Sequence, residues 1–204
     1  RDETVSIAGL GWWPKALDVE TFIRDHNGTI PVGILRTVVP AAPDAWILAL
    51  QRYGTMSFGE VAAAAIRYAR DGFPVHSVMA TFLQDKAEDY RRWPQNVAIW
   101  QRDGKPLAEG DRLVQTDLGR TIQFMADEEK AAMGKGRDAG LAAARDAFYR
   151  GDIAQTIAKY HRENGGLLTD QDLAEYRSEI ETPLRYTYKG TDVLSCGPWC
   201  LGPV

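Results

Sequence analysis

Apolar positions recur along this chain with two different periods, and the period changes near its ends. Residues 5–8 form a short apolar run that reads as a strand, broken by Gly9-Leu10-Gly11. Residues 19–25 fit a short helix that ends at Asn27-Gly28, and residues 30–39 read as extended, with Pro31 and Gly33 inside. Between Val39 and Val75 lie start and stop signals for two helices. Asp44 is placed to cap the first and Gly54 to end it. Ser57 and Glu60 spell a capping box for the second, which stops at Asp71-Gly72-Phe73-Pro74. The first helix is apolar almost all round, Trp46 included, which predicts burial on most sides. The second carries Ala62, Ala63, Ala64 and Ala65, which would let another backbone come close. Together they read as a buried helical hairpin without chemistry.

Helical spacing then continues. A third helix is predicted from a Ser77 cap, with Val78, Phe82, Tyr90 and Trp93 inward and Pro94 as the stop. Residues 95–110 read as loop, with a turn at Asp103-Gly104. A fourth helix, capped by Thr116, would bury Leu118, Ile122 and Met125, and its charged tail over 127–136 would be solvated. A fifth spans 138–150. A sixth starts at Asp152, with Ile153, Ile157 and Tyr160 as its apolar stripe. Thr169 and Asp172 open a seventh through Tyr176. The period then becomes two: Leu184, Tyr186 and Tyr188 alternate with Arg185, Thr187 and Lys189, and a second strand returns over 192–195. A helical block flanked by strands predicts an α/β fold in which the helices cover one side of a sheet.

Composition adds limits. The 204 residues suit one domain or a large part of one, and 45% hydrophobic with 25% charged residues is ordinary for a globular chain. A net charge of −4 argues against nucleic acid as a partner. No apolar run approaches the ~20 residues of a membrane-spanning helix. The chain starts without Met and inside what reads as a hairpin, so an internal segment incomplete at both ends is expected, and its localisation, cytoplasmic or periplasmic, is left open. Six Trp residues must be buried or line a surface. Trp46 is expected in the core, and one of the adjacent Trp12 and Trp13 on a surface or cleft.

Candidate chemistry is sparse. Cys196-Gly197-Pro198-Trp199-Cys200 has three residues between its cysteines, not the two of a dithiol redox site, so a structural thiol pair or a plain turn is the simpler reading. His26, His76 and His161 are not at metal-ligand spacing and read as surface or capping residues, so no metal and no cofactor is expected. Phosphate-cradling glycine motifs and a G-x-S-x-G elbow are absent. No complete catalytic constellation lies within these residues, so an enzyme containing them keeps its nucleophile elsewhere.

Several stretches nevertheless point one way. Tyr53-Gly54-Thr55-Met56, Asp71-Gly72-Phe73-Pro74-Val75, Phe148-Tyr149-Arg150-Gly151-Asp152-Ile153-Ala154 and Glu163-Asn164-Gly165-Gly166-Leu167-Leu168-Thr169 with Asp172-Leu173-Ala174-Glu175-Tyr176 resemble the γ-glutamyltransferase (γ-glutamyltranspeptidase) family, in order and over nearly the whole chain. The resemblance implies a helix-rich segment of a four-layer αββα N-terminal-nucleophile hydrolase sandwich. It further implies that residues 1–204 are an internal large-subunit segment of a self-processing precursor. The partner would be a small subunit from the same precursor, and the substrate a small amide or γ-glutamyl molecule attacked through an acyl-enzyme. No catalytic residue falls in this segment under that reading. A catalytically inactive relative used as a scaffold or binding protein is the alternative.

One departure bears on substrate. Family members carry an Arg-Glu pair four residues before an Ala-Pro, and that Arg binds the substrate α-carboxylate. Aligning on Pro14 puts Leu10 at the Arg and Gly11 at the Glu, followed by Trp12. Leu10, Gly11 and Trp12 are therefore the candidate substrate-binding residues. Leu cannot pair with a carboxylate, so a donor other than γ-glutamyl is expected unless an Arg from elsewhere in the chain takes that place. The end of the chain departs too: Cys196 to Pro203 stands where a Pro-rich run and Ser-Ser-Gly-Gly would be.

Overall fold

The computed structural model describes residues 3–200. The chain enters through strand β1 (Ser6–Ala8) and helix α1 (Val19–His26). Asn27 closes α1 in the left-handed conformation at φ 52°, a place Asn tolerates. Residues 30–39 are not simply extended, since Ile34–Arg36 make a 3-10 turn. Helices α2 (Ala42–Tyr53) and α3 (Phe58–Asp71) follow, then the short strand β2 (Phe73–Pro74).

The next stretch differs most from expectation. The third predicted helix is three: α4 (Ser77–Asp85), α5 (Ala87–Tyr90) and α6 (Pro94–Trp100). Pro94 starts a helix rather than stopping one, because the first turn needs no N–H from it. His76, not Ser77, caps α4, its Nδ1 accepting from the Met79 amide at 3.2 Å. Val78 and Phe82 are exposed, and Leu83 takes the inner position. Residues 95–110 are only partly loop, since β3 (Gln101–Arg102) and β4 (Lys105–Pro106) pair around the predicted Asp103-Gly104 turn. Strand β5 (Arg112–Leu113) pairs with β2 and closes a small core of Val75, Leu83, Leu107 and Leu113.

Helices α7 (Thr116–Ala132), α8 (Arg137–Tyr149), α9 (Asp152–Glu163) and α10 (Asp170–Glu175) complete the helical block. Strand β6 (Glu179–Glu181) runs antiparallel to β1, with Ile7 opposite Ile180. The hairpin of β7 (Leu184–Tyr188) and β8 (Thr191–Ser195) follows, its second strand starting one residue before the expected 192, with Thr191 opposite Tyr188.

Helix α8 is the hub, packing on α2, α7, α9 and α10, while α3 lies along α7. The predicted hairpin is therefore a pair of neighbours in sequence whose main partners lie elsewhere. Ile47, Leu141, Tyr149, Leu173 and Tyr176 are fully enclosed in the main core. Helix α2 buries one side only, and Trp46 is 53% exposed rather than in the core. In α3 the close approach is made by glycine on the partner helix: a Cβ on Gly119 would come within 3.3 Å of the Arg70 amide nitrogen. The stripe of α9 is rotated one position from that predicted. Ala154, Ala158 and His161 are buried, while Tyr160 is exposed.

Both predicted capping boxes form, Ser57 with Glu60 and Thr169 with Asp172. The simple caps at Asp44, Thr116 and Asp152 do not, since these residues already lie inside their helices. The tail of α7 is not wholly solvated. Glu129 is 2% exposed, and its carboxylate accepts from the amides of Phe58 at 2.7 Å and Gly59 at 2.8 Å. No helix among the described residues is long and apolar enough to cross a membrane.

Candidate substrate-binding loop

The 9–14 loop leaves β1 and crosses the start of α2. Its backbone is fastened at three points. The Tyr176 hydroxyl donates to the Leu10 carbonyl at 3.0 Å. The Trp12 carbonyl accepts from the Val39 amide at 2.9 Å. Just past the loop, the Lys15 amide donates to Asp172 Oδ1 at 3.1 Å, and its ammonium pairs with Glu175. Pro14 is buried, whereas Leu10, Trp12 and Trp13 are 54%, 45% and 44% exposed. The loop thus ties down its backbone and leaves its large apolar side chains accessible. Both tryptophans are exposed, not one of the two.

Gly11 is required by a close approach. A Cβ there would fall 2.0 Å from the Val39 carbonyl oxygen and 2.8 Å from a Val38 methyl. No side chain fits without moving the backbone.

Beneath the loop is a polar network that sequence reasoning missed. Asp44, 4% exposed, pairs with Arg145 and accepts from the Ser178 amide at 2.6 Å. Arg145 Nη2 also donates to the Tyr176 carbonyl at 2.5 Å, and its guanidinium lies 4.7 Å from the centre of the Tyr149 ring. Tyr149 donates its hydroxyl proton to the Pro40 carbonyl at 2.5 Å and accepts from the Asp44 amide at 3.1 Å. Its ring stacks on Tyr176 with centroids 6.0 Å apart, and Tyr176 meets Trp12 edge-on at 5.2 Å. Burial pushes the phenols of Tyr149 and Tyr176 above the usual range, so both remain donors at neutral pH. Burial also pushes the Asp172 carboxyl up, but hydrogen bonds from the Lys15 amide and from Thr169 outweigh it and hold the group below the usual carboxylate range. Lys15, Asp44 and Arg145 belong to separate stretches of sequence, so no local signal joins them. Tyr176 and Asp172 stood in the family-like stretch without a hint of what they hold.

The remaining candidates lie apart from this loop. Cys196 and Cys200 form a disulfide, not free thiols, and Trp199 between them donates to Glu181 at 2.8 Å. His161 is buried, not on the surface, and accepts from the Leu168 amide through Nδ1 at 3.3 Å. Burial lowers its pKa. Among the described residues no group of three or more His, Cys, Asp or Glu could hold a metal ion.

The Gamma-glutamyltranspeptidase family profile matches residues 1–204. The chain belongs to this family. Two relatives illustrate its range. The Acylase ACY 1 proenzyme of Pseudomonas sp. (strain SE83) is 34% identical over 175 residues, covering 86% of this chain and 28% of the relative. The Glutathione hydrolase proenzyme of Escherichia coli (strain K12) is 34% identical over 165 residues, covering 80% and 26%. The chain therefore spans about a quarter of the length of these γ-glutamyltranspeptidase relatives. The crystal structure of Helicobacter pylori γ-glutamyltranspeptidase superposes with a TM-score of 0.82 at 24% identity, over 98% of this chain and 54% of that one. The cephalosporin acylase from Bacillus halodurans superposes with a TM-score of 0.74 at 26% identity, over 93% and 34%. The helix-rich α/β fold is thus that of an N-terminal-nucleophile hydrolase of the γ-glutamyltranspeptidase type.

Proposed function

We propose that residues 1–204 are an internal large-subunit segment of a self-processing γ-glutamyltranspeptidase-like amide hydrolase or acyltransferase, and that its acyl donor is apolar rather than γ-glutamyl. The family match over the whole chain supports the first part, and the proenzyme names of the relatives support processing into subunits. The hairpin of β7 and β8 supports a partner subunit. Every residue of β7 is exposed, Tyr186 and Tyr188 among them, and a two-stranded ribbon is marginal alone. Strands from the remainder of the precursor would cover it.

The observation that carries the substrate reading is the 9–14 loop. Leu10, Gly11 and Trp12 stand where a carboxylate-binding pair is expected, and Leu10, Trp12 and Trp13 present apolar surface. Loss of a charged contact to a buried carboxylate costs several kcal/mol, so a γ-glutamyl donor would bind poorly here. The bulky apolar groups favour an aromatic or aliphatic acyl group instead. In the reaction the processed small subunit's terminal hydroxyl or thiol attacks the amide carbonyl. Its own α-amine takes the proton and returns it to the leaving amine. Water or an amine then releases the acyl group. This segment supplies the wall that selects the acyl group.

The test uses the full-length precursor. Splitting into two chains, together with faster hydrolysis of an aryl-acetyl amide than of a γ-glutamyl anilide, is the expected result. A precursor that never splits would leave the scaffold alternative standing. Glutathione turned over as well as the aryl-acetyl amide would refute the apolar donor. Leu10→Arg should move preference towards donors with an α-carboxylate.

A further inference from the structure

We propose that Tyr176 is a positioning residue for the candidate substrate wall, holding the loop from behind while Leu10 and Trp12 face the substrate. The inference rests on the reading of the 9–14 loop as that wall. Two contacts converge from one side chain: the hydroxyl donates to the Leu10 carbonyl at 3.0 Å, and the ring meets Trp12 in a T-shaped contact with centroids 5.2 Å apart. These are the two candidate residues with accessible side chains, and Tyr176 itself is fully buried. It has no solvent-accessible surface of its own and so acts through the loop.

Tyr176 is in turn held on the side away from the loop. Its carbonyl accepts from Arg145, whose charge is neutralised by the buried Asp44. Asp44 also accepts from the Ser178 amide, which fixes the chain just after Tyr176. The Tyr149 ring stacks on the Tyr176 ring. The anchor is therefore rigid, and rigid support is what a first layer of binding groups needs to keep its geometry. A loop fastened only by the Trp12–Val39 and Lys15–Asp172 contacts would keep its ends and lose the fixed position of Leu10.

The test is Tyr176→Phe in the full-length, processed protein. The change removes the hydroxyl, with its bond to the Leu10 carbonyl and its 3.4 Å contact to the Ser178 hydroxyl, and keeps the ring stack. Kinetics are read on whichever acyl donor the wild type prefers, so the substrate reading above and this inference fail separately. Preference for a γ-glutamyl donor sinks the former, while the response to Tyr176→Phe decides the latter. We expect KM to rise about threefold to tenfold with kcat within twofold, the signature of lost binding that is equal in ground and transition states. A small formyl or acetyl donor, which barely reaches the wall, should change less than twofold. Amide exchange at Val39, which reports the Trp12 end of the loop, should speed up by a similar factor. Unchanged KM, a fall in kcat with KM constant, equal loss on large and small donors, unchanged Val39 exchange, or failure to accumulate processed protein would each overturn the proposal.

Discussion

Glu129→Ala should unlatch the start of α3, and the size of the effect follows from counting amides. The first N–H groups of a helix have no partner inside it. In α3 each is accounted for. Ser57 N donates to Glu60, Glu60 N to the Ser57 hydroxyl, and Val61 N to the Ser57 carbonyl. Phe58 N and Gly59 N are left, and both go to the Glu129 carboxylate, 70 or more residues away. Hydrogen bonds to charged groups contribute about 1.5–3 kcal/mol each, and the carboxylate sits at the positive end of the helix dipole. One buried and one half-buried amide without acceptors put Glu129→Ala at about 3–5 kcal/mol. Glu129→Gln keeps one acceptor and turns an NH2 towards the other amide, for about half that cost. Amide exchange read by mass spectrometry on the full-length protein reports this locally, so it does not depend on two-state unfolding of a large chain. Exchange over the first turn of α3 should accelerate by roughly a hundredfold or more in the Ala variant, since about 1.4 kcal/mol is a factor of ten. Acceleration under threefold, or a Gln variant worse than Ala, would refute the latch.

Arg145→Met should destabilise by about 3–5 kcal/mol by stranding buried Asp44, and the Asp44→Asn, Arg145→Met double variant should cost less than the sum of the two single changes; additive losses in thermal denaturation would count against the pairing. Gly11→Ala should displace the 9–14 loop, because its Cβ meets the Val39 carbonyl at 2.0 Å; unchanged Val39 amide exchange would show that the close approach does not exist. His161, its pKa lowered by burial, favours the neutral form when folded, so its contribution is complete above the unfolded value near ~6.5 and is lost as pH falls towards the lowered folded value. His161→Gln should therefore give a shallower fall in melting temperature between about pH 7 and pH 5; an identical slope would remove His161 as the cause. The Cys196→Ser, Cys200→Ser variant should keep activity within about twofold, since the two cysteines are paired in a disulfide and offer no free thiolate; abolished turnover with the fold intact would revive a redox role.

Local grammar was readable from the residues, and long-range partnership was not. The boxes at Ser57 and Thr169 involve residues three apart, so the sequence shows both halves. The alternation over 184–189 marks β7, whereas the pairing of Tyr188 with Thr191 comes only with the structure. Asp44 looks like a cap because Asp commonly is one, yet it lies one turn further in, where Arg145 and Ser178 claim it across more than 100 residues. Glu129 sits in a run of charges, and only packing of α7 on α3 makes one of them buried. Trp46 misleads for the opposite reason. An apolar helix signals burial, but among the described residues α2 is covered on one side only. The chain spans about a quarter of the length of its relatives, and under the proposal that it belongs to a longer precursor the remainder would cover such a face.

The site repeats that division. Leu10, Gly11 and Trp12 are candidates from comparing a short motif with its family pattern, and the proposal above makes them the substrate wall. That comparison reads Gly11 as a missing Glu, whereas the geometry gives it a positive reason: the loop passes too close to Val39 for any side chain. A loop that needs glycine there cannot regain a carboxylate-binding Arg-Glu pair by exchanging both residues in place. Leu10→Arg alone should be accommodated, because the Leu10 side chain is exposed and only its carbonyl is held. Adding Gly11→Glu should undo it by moving the loop off Val39. If the double variant instead bound an α-carboxylate donor better than Leu10→Arg does, the path of the 9–14 loop would not be what separates this chain from relatives with the Arg-Glu pair, and side-chain identity alone would account for its selectivity.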